Sequence, residues 1–407
     1  MIYLIIIKEW VILKIKLGVF FGGKSVEHEI SVISAIQAIY AFNKDKYDIV
    51  PVYITKNNEM YTGENIGKIE SYKDIKGLLK ESQRIIPVKE GNKVNLIKYP
   101  MKKFGNPVYD YIDIAFPIVH GTNVEDGSLQ GFLKMYDIPY VGCDVLSSAV
   151  GMDKYVMKTV LKDNGIPVLD CQVVNVKEYN ADSDKIREKI ENKIGYPVIV
   201  KPINLGSSVG IKMAADAEKL EEAMEYAFQF ADKVLVEKAI TSLKEINCSV
   251  LGDYEEAEAS ECEEPINSDE ILSYEDKYLS SEGKTEGSKG MQSTKRKLPA
   301  DISSEVRAEI REMAVKTFKA LGCNGVSRID FMIDKETNKI YVNEINTIPG
   351  SLSFYLWDPL GVKYDELLDR VINLALKRQR ENNEITYSFD TNILSGVKLG
   401  GMKGSKL

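Results

Sequence analysis

Two short segments, Ser327-Arg328-Ile329-Asp330 and Asn343-Glu344-Ile345-Asn346, constrain the fold of this chain more than any other feature. Each reads as a β-strand, and Asp334 to Lys339 (DKETNK) supplies the polar turn of a hairpin between them. Strand side chains alternate between faces, so Arg328 and Asp330 share one face of the first strand, and Glu344 and Asn346 share one face of the second. Antiparallel pairing can then put Asp330, Glu344 and Asn346 on one surface, with Arg328 beside them. Two carboxylates and an amide are oxygen donors suited to a hard cation such as Mg²⁺. A guanidinium at the edge suits an anion or a developing oxyanion. The plain alternative is a solvated hairpin face with ordinary charges.

Elsewhere the pattern alternates strand and helix. Residues 17–21 (LGVFF) read as a buried strand, followed by a GGKS turn and a helix from Val26 to Phe42. Tyr47 to Thr55 is the next strand, and Ile112 to Val119 another, ending at His120-Gly121. This predicts an open parallel sheet, whose ligands collect at the carboxyl ends of the strands. Residues 151–163 read as helical, Val198–Lys201 and Val234–Glu237 as strands, and Ile203–Val209 as a loop. Glu255 to Leu298 is polar throughout and reads as a long mobile loop of the lid type. Residues 303–321 and 365–378 form amphipathic helical patterns. The first sixteen residues are apolar but interrupted by Lys8, Glu9, Lys14 and Lys16. They are too short an apolar run to span a bilayer and lack a cleavage signal, so a mispredicted start competes with a real extension. The tail from about Arg378 is polar and then Gly/Lys-rich, and is expected to be loosely ordered.

A net charge of −8 gives no reason to expect nucleic-acid binding. Five dispersed cysteines without a CxxC pair indicate a reducing compartment, and two histidines exclude a His-rich zinc site.

Gly18 to Ser25 satisfies GxxxxGK[ST] letter for letter. A phosphate loop needs turn conformations at its variable positions, whereas Val19, Phe20 and Phe21 belong to a strand, so Lys24 reads as an exposed turn residue. A stronger nucleotide signal is Lys201 at the end of the strand VIVK, followed by Gly206-Ser207-Ser208-Val209-Gly210. Val234 to Lys238 is an apolar strand ending in Glu237, whose surroundings could bond an adenine edge, and Glu245 could accept from ribose hydroxyls. Alone, each glutamate reads equally as an exposed charge.

Together these stretches resemble the ATP-grasp superfamily, and within it the D-alanine–D-alanine ligase family, from about Leu17 to Leu374. The matching segments are GGKSVEHEIS (22–31), HGTNVEDGSLQG (120–131), GMDKYVMK (151–158), VIVKPINLGSSVG (198–210), YEDKY (274–278), SRIDFM (327–332) and NEINTIPG (343–350). The resemblance implies an α/β N-terminal open-sheet domain followed by a two-lobed ATP-grasp fold of α+β type. It divides the chain into an extension (1–16), a substrate domain with the parallel sheet (17–148), a central lobe (149–236), a C-terminal lobe with metal hairpin and lid at about 263–298 (237–378), and a tail (379–407).

It also implies an activity. ATP phosphorylates one D-alanine, and the amine of a second attacks the acyl phosphate, for peptidoglycan precursor synthesis in the cytoplasm by a homodimer. Neither nucleic acid nor membrane takes part. Two Mg²⁺ (or Mn²⁺) ions would sit on Asp330, Glu344 and Asn346. Lys154 and Lys201 would hold the α/β-phosphates, Ser208 and Lys277 the γ-phosphate, and Glu237, Lys238 and Glu245 the nucleoside. Arg328 and the Gly350 N–H would stabilise the oxyanion. Glu27 would bind the first ammonium, His120 would line its pocket, and Ser207 and Tyr278 would link the phosphate loop to Glu27. Three departures stand out. The lid is about ten residues longer than the family pattern. Glu245 lies one residue farther from Glu237. Ser351 to Trp357 replaces the usual Phe-Thr and Ser-Leu segment, with Ser353 the candidate for the acceptor carboxylate and Ser351 the alternative. The retained Tyr278 favours an amine acceptor over D-lactate. D-serine or another small amino acid as acceptor, a nucleotide-binding protein without turnover, and a P-loop NTPase using Lys24 are the competing readings.

Overall fold

The computed structural model describes residues 14–388 apart from residue 92 and residues 267–295. The first sheet contains β1 (Ile15–Gly22), β2 (Tyr47–Ile54), β3 (Met60–Thr62), β4 (Gln83–Glu90), β5 (Lys93–Lys98), β6 (Val108–Ile112) and β7 (Ile114–Ile118). Their order is β6-β5-β4-β3-β2-β1-β7. Only β2-β1-β7 is parallel; β2 through β6 pair antiparallel, so the expected parallel sheet is a mixed one. The single strand expected over 112–119 is two. Asp113 separates them, its carboxylate accepting the Lys16 N–H at 2.7 Å while its own N–H donates to the Lys16 carbonyl at 2.8 Å. Phe21 stands opposite Ile118, which brings the GGKS turn alongside His120-Gly121. Lys24 is exposed on that turn, and β1 runs through to Gly22, as the strand reading of GxxxxGKS requires.

The middle of the chain forms β8 (Cys171–Asn175), β9 (Val198–Pro202), β10 (Lys212–Ala214) and β11 (Lys233–Lys238), antiparallel in the order β10-β9-β11-β8. The expected helix over 151–163 is broken at Asp153, whose carboxylate caps the helix Lys154–Asp163 by accepting from Tyr155 N–H (3.0 Å) and Val156 N–H (2.9 Å). Lys154 thus becomes the first residue of a helix, on its buried face, rather than the middle of a longer one.

The last sheet has β12 (Leu243–Gly252), β13 (Ala257–Pro265), β14 (Arg296–Lys297), β15 (Gly325–Asp334) and β16 (Lys339–Asn346), antiparallel in the order β14-β13-β12-β15-β16. β13 and β14 correct the long loop expected from Glu255 to Leu298. The polar text of β13 reads as loop because its core contacts are only the small residues Ala259 and Cys262, set three apart by a register shift opposite Val250 and Cys248, while Ser260 and Glu263 are buried polar residues. The remainder of the expected lid lies outside the described residues. The last helix runs Tyr364–Asn383, five residues past Arg378 into the expected loose tail. Arg378 fastens it there by donating to the carbonyls of Gly142 and Tyr140, each at 2.6 Å. Among the described residues no helix is long and apolar enough to cross a membrane.

Core packing joins the two ends of the chain. Leu352, Tyr355, Leu356 and Trp357 belong to the same buried cluster as β1, β2 and the helix His28–Ala41. The turn Gly350–Leu356 is thereby held between the first and last sheets.

Candidate active site

Register carries the hairpin chemistry. Asp330 stands opposite Glu344 and Arg328 opposite Asn346, so the four side chains share one face. Arg328 grips Asp330 at both oxygens, Nε to Oδ1 and Nη2 to Oδ2, each at 2.7 Å. Asn346 Nδ2 donates to Asp330 Oδ2 at 3.1 Å. Asn247 on β12 faces Asp330, and Glu263 on β13 faces Asn247. Glu263, Asn247, Asp330 and Glu344 therefore form one polar row across four strands. Sequence reasoning missed its first two members; the alternation Glu245, Asn247, Ser249 along β12 was the available signal.

Burial, with Glu344 and Glu263 nearby, pushes the Asp330 carboxyl up against the pull of Arg328. Crowded carboxylates of this kind fit a cation. Among the described residues no three His, Cys, Asp or Glu side chains gather at metal-holding distance. Two carboxylates and an amide oxygen could serve as donors instead, leaving coordination positions to phosphate oxygens and water, as Mg²⁺ prefers.

A second cluster joins the central sheet to this row. Lys154 and Lys158 lie four residues apart on the buried face of one helix. Lys154 Nζ donates to the Leu205 carbonyl at 2.7 Å and pairs with Glu344 Oε2 at 3.2 Å. Lys158 Nζ pairs with Glu237 Oε2 at 2.9 Å. Lys201 pairs with the other oxygen of Glu237 and reaches Asn343 Oδ1 at 3.1 Å. Burial pushes the Glu237 carboxyl up, but the two ammonium groups outweigh it and hold the group down at about 2. Lys158, missed in the sequence, was visible only as the second lysine of GMDKYVMK. The Lys238 ammonium is not in this cluster: it donates to the carbonyls of Tyr196 (2.5 Å) and Gly195 (3.3 Å). Glu245 is half-buried in β12 on the Asn247 face, and residues 239–242 form the loop that separates its strand from that of Glu237.

The third cluster sits at the carboxyl ends of β1 and β7. Ser207, in left-handed backbone at φ 55°, donates to the Glu27 carboxylate. That carboxylate lies where glycine alone leaves room: a Cβ on Gly121 or Gly206 would stand 2.8 Å or 3.1 Å from Glu27 Oε2. Gly121→Ala also meets a φ of +82°. We expect it to lower unfolding free energy by about 1–3 kcal/mol, read as a reduced urea midpoint at unchanged slope.

His120 is buried and neutral, burial pushing its pKa down to about 4. Its Nδ1–H donates to the Ile348 carbonyl at 2.9 Å, and Nε2 accepts from the Ser34 hydroxyl at 3.0 Å. Ser34 in turn accepts the Ser351 N–H at 3.0 Å.

Glu125, unremarked within HGTNVEDGSLQG, clamps the same region. It accepts from Gly121 N–H and Ile348 N–H, each at 2.9 Å. Burial, then the Glu27 charge, pushes its carboxyl up to about 8. A raised folded pKa means a contribution that is full below the unfolded value of 4.5 and lost as pH rises through about 8. Between about pH 5 and pH 9 the wild-type melting temperature should therefore fall relative to Glu125→Gln; parallel curves would refute the shift.

Gly350 opens a turn in which Ser351, Leu352 and Ser353 are all left-handed, at φ 50°, 53° and 51°. Ser353 is fully buried and its Oγ has no hydrogen-bond partner among the described residues. Tyr278 and Lys277 lie outside the described residues. Ser208 shares the left-handed backbone of Ser207, at φ 59°.

Two family models, described as D-ala D-ala ligase N-terminus and D-ala D-ala ligase C-terminus, match residues 16–143 and 160–373. The chain belongs to the D-alanine–D-alanine ligase family. A D-alanine–D-alanine ligase of Thermosipho melanesiensis is 41% identical over 387 residues, covering 95% of this chain and 99% of that protein. Among solved structures, the D-alanine–D-alanine ligase of Coxiella burnetii superposes with TM-score 0.75 at 30% identity, covering 91% of this chain and 96% of that one. A D-Ala:D-Ser ligase of Enterococcus faecalis superposes with TM-score 0.73 at 32% identity, covering 89% and 100%. The fold is α/β of the ATP-grasp type, with the first sheet mixed and the two later sheets antiparallel.

Proposed function

We propose that this protein is an ATP-dependent ligase that joins two D-alanines into D-alanyl-D-alanine through an acyl phosphate, releasing ADP and phosphate. Lys154 carries the reading. One ammonium contacts both the loop that follows Lys201 and the carboxylate of Glu344, tying a phosphate-binding half to a metal-binding half.

The residues divide the labour by charge. Lys154 and Lys201 face the α/β-phosphates, with Ser208 and Lys277 toward the γ-phosphate, where transfer is mostly positioning and charge neutralisation. Glu237, the Lys238 backbone and Glu245 receive the nucleoside. Asp330, Glu344 and Asn346 would hold two Mg²⁺ or Mn²⁺ ions, which supply charge neutralisation at the phosphoryl group when bound. Glu27 holds the ammonium of the first D-alanine, in a pocket lined by His120. Arg328 and the Gly350 N–H stabilise the oxyanion that forms when the second amine attacks. Ser207 bonds Glu27, and Tyr278, outside the described residues, would extend that link to a lid that keeps water from the acyl phosphate. Ser353 meets the acceptor.

The chain divides for this work into a substrate domain (17–148), a central lobe (149–236) and a C-terminal lobe (237–378), between an extension and a tail. The product serves peptidoglycan synthesis in the cytoplasm, made by a homodimer. The similarity to the D-Ala:D-Ser ligase supports a second reading, D-serine as acceptor.

An isotope experiment tests the acyl phosphate. D-alanine labelled with ¹⁸O in its carboxylate should deliver one labelled oxygen to each inorganic phosphate released, because the attacking oxygen leaves with phosphorus. Unlabelled phosphate alongside dipeptide would exclude that intermediate.

A further inference from the structure

The polar row has two ends. At Glu344 it meets Lys154, on the nucleotide side. At its centre lie Arg328 and Asp330. At the other end Glu263 is buried and accepts from Asn247 Nδ2 at 3.0 Å and from the Tyr355 hydroxyl at 2.9 Å. Arg296 closes that end. Its guanidinium lies over the Tyr355 ring, 4.1 Å from the centroid, and its Nη1 is 3.3 Å from Glu263 Oε2. The side chain is only 14% exposed. Stacking and pairing therefore fix a buried cation on the side of the reaction centre away from the nucleotide. Tyr355 belongs to the same turn as Ser353, whose buried hydroxyl lacks a partner among the described residues.

The chemistry calls for a cation there. Two carboxylates enter the reaction; one is activated beside Arg328, and the acceptor keeps the other. We propose that Arg296, held by Tyr355 and Glu263, receives the carboxylate of the acceptor amino acid, with Ser353 as the neighbouring donor. This rests on the ligase reading above and deepens it: Arg296 is a specificity-determining residue selecting α-amino acids with a free carboxylate. Sequence position alone hides it, since Arg296 lies 33 residues from Glu263 and 59 from Tyr355 along the chain.

The test compares D-alanine with D-alaninamide, which has the amine but no carboxylate, as acceptors for the full-length protein with ATP and Mg²⁺. Wild type should prefer D-alanine. In Arg296→Met that preference, taken as the ratio of the two kcat/KM values, should fall about tenfold or more, with the Michaelis constant of the first D-alanine unchanged. Arg296→Lys, which keeps charge but loses the planar fork, should show a smaller fall and serves if the first variant does not fold. A wild-type ratio in a folded variant overturns the proposal. Absence of dipeptide synthesis in the wild type would instead remove the ligase reading on which it stands.

Discussion

Glu344→Gln is expected to lower kcat by about 10²–10³ or more and to raise the Mg²⁺ concentration needed for half-maximal turnover. The amide keeps the volume and one acceptor of the carboxylate, and the side chain is 27% exposed, so the fold should survive. Two things are lost together. The metal set falls from two carboxylates to one, and Lys154 loses the charge that orients its ammonium at 3.2 Å. Turnover measured across a Mg²⁺ titration, beside a melting curve, separates these from unfolding. Near-normal kcat and an unmoved Mg²⁺ midpoint would take Glu344 out of the metal site.

The second large effect is on stability. Glu237→Gln should cost about 3–5 kcal/mol at neutral pH, because it leaves two buried ammonium groups facing a neutral amide. Lys158, Lys201 and Glu237 side chains are each less than 5% exposed, so water cannot replace the lost charge. The sign with pH is fixed by the depressed carboxyl. Its contribution is full above the unfolded value of 4.5 and lost as pH falls through about 2, so the gap between wild type and variant should narrow in acid. Adding Lys158→Met should restore part of the loss, since removing an ion pair together costs less than stranding one member. Urea midpoints of the wild type and the two variants check this; a neutral-pH change below about 1 kcal/mol for Glu237→Gln would show that the cluster is not a closed ion network.

What the sequence made legible follows from period and local spacing. The hairpin of Asp330 and Glu344 was readable because a strand alternates strictly and its turn is polar. Lys201 and Glu237 were readable because each ends an apolar strand. Lys158 was not, because a lysine on the inward face of a helix looks like a lysine on the outward face until its partner is known. Glu125 and its partner Ile348 are 223 residues apart, a pairing only the fold supplies. β13 was hidden because its core side carries only the small residues Ala257, Ala259 and Cys262 and because a register shift opposite Cys248 and Val250 breaks the two-residue period that marks a strand. The same irregularity conceals Glu263, and with it the acceptor end of the row.

The most direct measurement is the product balance of purified protein given ATP, Mg²⁺ and D-alanine. ADP, phosphate and D-alanyl-D-alanine should form in equal amounts, with no ADP when D-alanine is replaced by L-alanine. ATP hydrolysis without dipeptide, or no D-alanine-dependent ADP at all, would contradict the ligase account.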